Sequence, residues 1–202
     1  YEGITRSVAY ALHFFDIEVP DRTVLCPFIG PPLKDSFMRF YGFSSADAEL
    51  AIARYRDYFA GKGLFENTVY PGIPSLLDAL ENAGRRHVLA TSKPGVFAER
   101  ILTHFGLRRY FSAVVGSDLD GKRVKKEDVL RHALELTNAK PARSLMIGDR
   151  EYDVAGARAV GMDCIGVTYG YGSEKELSDS GAVALADSPE ALRRLLLPSG
   201  PF

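Results

Sequence analysis

The spacing of apolar residues changes character near residue 70, and that change divides the chain. Residues 1 to about 60 carry no strand-like apolar run. Ile4, Val8, Leu12 and Phe15 recur at helical spacing, and a second helical pattern runs from Ala46 to Phe59, so this part reads as all helix. Between the two patterns, Pro27-Phe28-Ile29-Gly30-Pro31-Pro32 cannot continue a helix, because its prolines remove backbone donors and Pro31 restricts Gly30. A structured loop is expected there.

After Tyr70-Pro71-Gly72 short continuous apolar runs alternate with helical patterns. The strands are expected at His87 to Ala90, Ala113 to Val115, Leu145 to Ile147, Cys164 to Val167 and Ala182 to Ala186. Helices are expected near 73 to 83, 95 to 104, 127 to 137, from Arg150 to Val160, and from Pro189 onward. Strands that are apolar throughout, separated by helices, indicate a parallel sheet covered on both faces. The predicted fold is α/β, a Rossmann-like three-layer core over residues 71–202 preceded by a small all-helical domain over residues 1–70. No internal repeat or low-complexity tract interrupts it.

Composition narrows the function. Lys plus Arg number 25 against 26 Asp plus Glu, a net charge of −1, so no broad basic field is present to hold nucleic acid or an anionic membrane. An anionic ligand must therefore be small and met locally. Cys26 and Cys164 lie in apolar surroundings without metal-ligand spacing, as buried thiols of a reducing compartment would. No apolar run approaches the roughly 18 residues of a membrane span, and the N-terminus has no signal-type stretch. A cytoplasmic protein, monomeric or weakly dimeric, is expected.

In sheets of this kind ligands bind beyond the carboxyl ends of the strands. Leu145-Met146-Ile147-Gly148-Asp149 delivers a carboxylate to such a strand tip, and Asp153 follows at i+4 on the first turn of a helix. The two acids point the same way and can share one cation, with magnesium the natural candidate. The other reading of the pair is a helix cap at Asp149 and an acid near the positive helix end at Asp153. After Val88-Leu89-Ala90 come Thr91 and Ser92, whose hydroxyls and backbone N–H groups suit a phosphate oxygen, or else form an ordinary strand-end cap. Lys126 opens the helix after the second apolar run, beside Lys125, either to neutralise a phosphoryl group or as part of a solvated charge run. Tyr169-Gly170-Tyr171-Gly172 reads first as a flexible connection after a strand, with a place at the rim of the site as the alternative. The four histidines show no ligand spacing.

The ordered set of a strand-end hydroxyl, a lysine and Gly-Asp-x-x-x-Asp resembles the haloacid dehalogenase superfamily, in its phosphoglycolate phosphatase-like branch with a helical cap. Val69-Tyr70-Pro71-Gly72-Ile73 looks like the return from cap to core, Ala90-Thr91-Ser92-Lys93-Pro94 like the second motif, Lys126 like the third, and Gly148-Asp149-Arg150-Glu151-Tyr152-Asp153 like the fourth. Ile29-Gly30-Pro31-Pro32-Leu33 looks like the cap loop that helps choose substrates, which makes Gly30 and Pro31 substrate-binding candidates. The resemblance implies a Mg2+-dependent phosphatase for a small phosphorylated metabolite, phosphoglycolate-like or a nucleotide or sugar phosphate monoester, working through an aspartyl-phosphate. It further implies that Asp149 ligates Mg2+ and that Asp153 stands behind it or holds a metal-bound water. Thr91, Ser92 and Lys126 then hold the phosphoryl group.

One departure from the family pattern is large: nothing resembling Asp-x-Asp-Gly-Thr, which supplies the nucleophile and the general acid and base, occurs in these 202 residues. The sequence is therefore expected to belong to a longer protein, to lack the first core strand with two sheet edges left unpaired, and to be inactive by itself. Other readings stay open. A phosphotransferase, mutase or kinase-like, uses the same residues; a carbon–phosphorus hydrolase needs a cap lysine, for which Lys34 is the nearest; a non-catalytic binding module fits the absent nucleophile. A dehalogenase leaves the two acids without a role.

Overall fold

A computed structural model describes residues 1–119 and 123–197, so residues 120–122 and 198–202 of the predicted core lie outside the described residues. The chain forms two compact units, Tyr1–Thr68 and Val69–Phe202.

The first unit is helical. Helices α1 (Glu2–His13), α2 (Leu33–Tyr41) and α3 (Ser45–Gly61) are joined by 3-10 turns at Arg22–Phe28 and Gly63–Phe65. Val8 and Leu12 of α1 are fully buried, while Ile4 and Phe15 of the expected stripe stay partly exposed and Thr5, Ser7 and Ala11 are buried instead. The cause is a close approach of α1 to the second 3-10 turn: a methyl at Gly3 would overlap the Gly63 backbone, and the Ser7 hydroxyl turns back to donate to the Gly3 carbonyl at 2.6 Å. The expected proline loop begins later than predicted. Pro27 sits inside the first 3-10 turn, whose start is held by Asp21 Oδ1 accepting from the Thr23 N–H at 2.9 Å, and only residues 29–32 are irregular. Phe28 then packs edge-on to Phe37 with ring centroids 5.0 Å apart, tying that loop to α2.

The second unit contains α4 (Ile73–Asn82), β1 (His87–Pro94), α5 (Gly95–His104), β2 (Phe111–Ser117), α6 (Lys126–Thr137) and β3 (Leu145–Gly148). It continues with α7 (Glu151–Ala159), β4 (Asp163–Val167), α8 (Glu174–Asp179), β5 (Ala184–Ala186) and α9 (Pro189–Leu196). All strand pairings are parallel. Around β3 to β5 the alternation of side chains builds the three layers. Ile165 and Val167 face Leu76, Leu80 and Leu192 of α4 and α9, whereas Met146 and Cys164 face Leu130, Val154, Ala157 and Leu177 of α6, α7 and α8.

The strands do not form one continuous sheet. They pair as β1-β2 and as β3-β4-β5, so β1 and β3 each have a single strand neighbour among the described residues. Every residue of β1 is correspondingly only partly buried. Helix α8 lies in a segment where the periodicity predicts none, and β5 is shorter than expected because Gly181, in the left-handed region at φ 95°, turns the chain just before it. No helix among the described residues is long and apolar enough to cross a membrane.

Candidate active site

β1 is longer than its apolar run, and its far half is irregular. Ala90 pairs with Val115 and Pro94 with Ser117, so Thr91, Ser92 and Lys93 stand opposite the single residue Gly116. Extra residues on one strand push that strand outward and re-aim its side chains. Gly116 permits it, since a methyl there would overlap the Lys93 carbonyl and the backbone of Gly95. Within this bulge the Lys93 N–H donates to Thr91 Oγ1 at 3.1 Å, and the Ser117 hydroxyl donates to the Ser92 carbonyl at 2.9 Å. The Thr91 hydroxyl thus keeps its proton for another acceptor. Burial pulls the Lys93 ammonium down to about 8.

Lys126 opens α6 with its side chain turned inward, while its neighbour Lys125 is exposed. The Lys126 ammonium donates to the Ala90 carbonyl at 3.1 Å and pairs with Asp153 Oδ1 at 2.7 Å. One cation therefore links the residue before Thr91 to the helix after β3. Gly156 on α7 leaves room for the lysine stem, because a methyl there would come within 2.6 Å of Lys126 Cγ.

Asp149 and Asp153 are not equivalent. Asp153 is buried, and its Oδ2 accepts from the N–H groups of Asp149 and Arg150, both at 3.1 Å, while its Oδ1 faces Lys126. The expectation that the two acids share one cation thus meets an Asp153 whose oxygens are both engaged. Gly148 makes this geometry possible: a methyl at that position would occupy the space of the Asp153 side chain. The Asp149 carboxylate accepts from the Tyr171 N–H through Oδ2 at 2.9 Å. Burial pushes its carboxyl above the usual carboxylate range; the Tyr171 N–H opposes this, and the charge of Asp153 adds to it. No lysine or arginine among the described residues forms an ion pair with Asp149.

The neighbouring arginine is committed elsewhere. Arg150 Nε donates to Glu176 Oε1 at 2.8 Å, and the Glu151 N–H donates to the same oxygen at 2.9 Å. Burial pushes the Glu176 carboxyl up, but these donors outweigh it and hold the group below the usual range.

Lys126, Asp153 and Asp149 are consequently joined by contacts at the carboxyl end of β3, and Lys126 ties them to Ala90, the residue before Thr91 and Ser92 on β1. Gly30, at φ 110° and exposed, and Pro31 belong to the other unit. Lys34, the nearest lysine for a carbon–phosphorus hydrolase, is paired with Glu49 at 2.7 Å. Sequence patterns do not single out Glu176, and they give Tyr171 a place in a connection first, with the rim of the site as the alternative. A signal for Glu176 exists in Ser173-x-x-Glu176, the spacing of a helix-capping pair, where Ser173 Oγ accepts from the Glu176 N–H at 3.1 Å. Tyr171 acts through its backbone, which no residue-type pattern reveals.

Residues 1–167 match the family described as haloacid dehalogenase-like hydrolase. A 5'-nucleotidase of Pseudomonas aeruginosa is 48% identical over 195 residues, covering 96% of this chain and 88% of the relative. The tyrosine-protein kinase PtkA of Mycobacterium tuberculosis is 40% identical over 170 residues, 84% of this chain, and the chain spans 58% of that relative. The crystal structure of a predicted phosphatase from Clostridium acetobutylicum superposes with a TM-score of 0.95 at 53% identity, covering 97% of this chain and 91% of that one.

Proposed function

The chain belongs to the haloacid dehalogenase-like hydrolase family and is a phosphoric monoester hydrolase, and on that footing we propose that the full-length protein releases phosphate from a small phosphorylated metabolite with Mg2+ held at Asp149. A nucleoside 5'-monophosphate is the first substrate to test, a choice supported by the likeness to a 5'-nucleotidase. The observation that carries the reading is Lys126, whose ammonium reaches both the Ala90 carbonyl and Asp153 and so brings the Thr91 end of β1 to the Asp149 end of β3.

Phosphoryl transfer asks a protein mainly for positioning and charge neutralisation. The Thr91 hydroxyl and the Ser92 N–H hold a phosphoryl oxygen. Lys126 offsets the negative charge of the phosphoryl group while staying anchored on Asp153. Asp149 fits a divalent ion, because it is a desolvated carboxylate without an ion-pair partner among the described residues, with Oδ2 engaged by Tyr171 and Oδ1 without a hydrogen bond among those residues. Bound there, Mg2+ supplies the positive charge that screens phosphoryl oxygens from an anionic nucleophile. Asp153 serves Asp149 indirectly, by fixing its backbone N–H and by holding Lys126. The described residues contain no cluster of three or more His, Cys, Asp or Glu side chains suited to a metal, so the remaining donors come from elsewhere, water and substrate among them. Gly30 and Pro31 are carried as substrate-contacting positions by the resemblance alone. A cytoplasmic location is part of the same reading, supported by the unpaired thiols of Cys26 and Cys164.

A panel of nucleoside, sugar and glycolate phosphates, assayed with the full-length protein for phosphate release with Mg2+ and again with EDTA, tests it. Metal-dependent release, greatest from a nucleoside monophosphate, is the expected result; release from no ester, or release indifferent to EDTA, overturns it. The likeness to PtkA favours a second reading, transfer of a phosphoryl group to a protein tyrosine. Labelled γ-phosphate of ATP appearing on a tyrosine peptide, without comparable release to water, selects that alternative.

A further inference from the structure

The chain that leaves β4 folds over Asp149 and grips it from several sides. Thr168 N–H donates to the Ala186 carbonyl at 2.9 Å, fixing the start of the segment to β5. The Tyr171 N–H then donates to Asp149 Oδ2 at 2.9 Å. On either side of Tyr171 stand glycines whose missing side chains are replaced by Asp149 itself. A methyl at Gly170 would overlap Asp149 Cβ and Oδ2, and one at Gly172 would overlap the Asp149 carbonyl oxygen. Neither glycine is in the left-handed region, so space rather than backbone conformation forbids a side chain there. Four residues further on, Glu176 Oε1 takes the Arg150 and Glu151 donors, so the same return segment secures the residues on the far side of Asp149.

We infer that Gly170-Tyr171-Gly172 is a positioning element for Asp149, which fixes one carboxylate oxygen by a backbone N–H and leaves the other as a single-oxygen ligand for the divalent ion. The inference rests on the proposal that Asp149 binds Mg2+. Its physical basis is the strict octahedral demand of that ion: a carboxylate already held in one orientation loses less freedom on binding than one that swings. Partners that orient a ligand in this way change metal affinity by about 10- to 100-fold when lost.

Mn2+ binding to the full-length protein, followed by the electron paramagnetic resonance of the free ion, gives a readout independent of turnover. Four variants are compared: Asp149→Asn, Gly170→Ala, Tyr171→Ala and, as control, Gly61→Ala, where an added methyl meets no atom within 4 Å. Gly170→Ala is expected to weaken Mn2+ binding by about tenfold or more. Tyr171→Ala keeps the N–H and is expected to bind as wild type does, as is Gly61→Ala. Wild-type affinity in Gly170→Ala, with binding lost in Asp149→Asn, overturns the positioning role and leaves the metal assignment standing. Unchanged affinity in Asp149→Asn removes the metal assignment and the inference together. A loss in Tyr171→Ala as large as in Gly170→Ala moves the role to the tyrosine ring and overturns the backbone assignment. Should Gly170→Ala fail to fold, as judged by circular dichroism, hydrogen exchange of the Tyr171 amide decides. Protection that disappears in Asp149→Ala supports the hydrogen bond, and equal exchange in both proteins overturns it.

Discussion

Lys126 and Asp153 form a buried ion pair: Nζ and Oδ1 lie 2.7 Å apart, and the two side chains are 10% and 9% exposed. Each charge has lost most of its water, so each depends on the other and on the additional donors and acceptors around the pair, the Ala90 carbonyl and two backbone N–H groups. Removing one partner strands the other. Lys126→Met is expected to lower stability in urea unfolding at neutral pH by about 3–5 kcal/mol. A second change, Asp153→Asn, in the same background is expected to recover part of that loss. A loss below about 1 kcal/mol would mean that the pair is solvated in practice.

Asp149 makes stability depend on pH in a defined direction. Its carboxyl is raised by burial, so the folded state holds the proton to higher pH than the unfolded chain does. Stability therefore falls as pH rises through the unfolded and then the folded carboxylate range, and the cost persists at neutral pH. Asp149→Asn is expected to raise the melting temperature at pH 7 in the presence of EDTA, with the advantage vanishing below about pH 4, where both states are protonated. Added Mg2+ is expected to raise the melting temperature of wild type and not of the variant. A variant less stable than wild type at pH 7 in EDTA contradicts the assignment of burial as the dominant effect.

Gly148 is a tight point behind the site. An added methyl would come within 2.6 Å of Asp153 Oδ2 and closer still to the rest of that side chain. Gly148→Ala is expected to cost about 1–3 kcal/mol through overpacking, and to displace Asp153 from the Asp149 and Arg150 N–H groups. Amide resonances of Asp149 and Arg150 that do not move in the variant would show that the helix start absorbs the methyl in some other way.

Lys93 supplies a second pH signature, at the alkaline end. Its ammonium is lowered from 10.5 to about 8 by burial, so between these values the unfolded chain binds a proton that the folded state has released. Where the unfolded state binds more protons, stability increases with pH. The stability of wild type relative to Lys93→Met is expected to rise between about pH 8 and 10.5. A flat difference across that interval would place the ammonium in contact with water.

The places of Thr91, Lys126 and Asp149 on the fold are readable in the sequence because each stands where an apolar run ends or a helix begins, and the position of a strand end is a local property of the chain. The same logic places the helices of the second unit other than α8 to within a residue or two. Other features depend on contacts that no local pattern encodes. The spacing of Asp149 and Asp153 is the same whether the second acid ligates a cation or clamps backbone N–H groups, and the clamp follows only from Lys126 and Gly148 in three dimensions. Tyr169-Gly170-Tyr171-Gly172 reads as a loose connection, since glycines are common after strands, yet its glycines are set by Asp149, about 20 positions earlier. Helix α8 was missed because, at six residues, it is too short to establish a period, although its Ser173 cap was visible. The open edges at β1 and β3 were expected only through the family resemblance, because apolar runs predict strands without specifying their neighbours.

The central claim is that Thr91, Ser92, Lys126 and Asp149 hold one phosphoryl group and one divalent ion together. A crystal structure of the full-length protein grown with Mg2+ and orthovanadate, a mimic of the phosphoryl group in transfer, tests it most directly. Vanadate oxygens are expected within hydrogen-bonding distance of Thr91 Oγ1, the Ser92 N–H and Lys126 Nζ, with Mg2+ on Asp149 Oδ1 at about 2.1 Å. Vanadate bound away from these groups, or Mg2+ bound without Asp149, would contradict it.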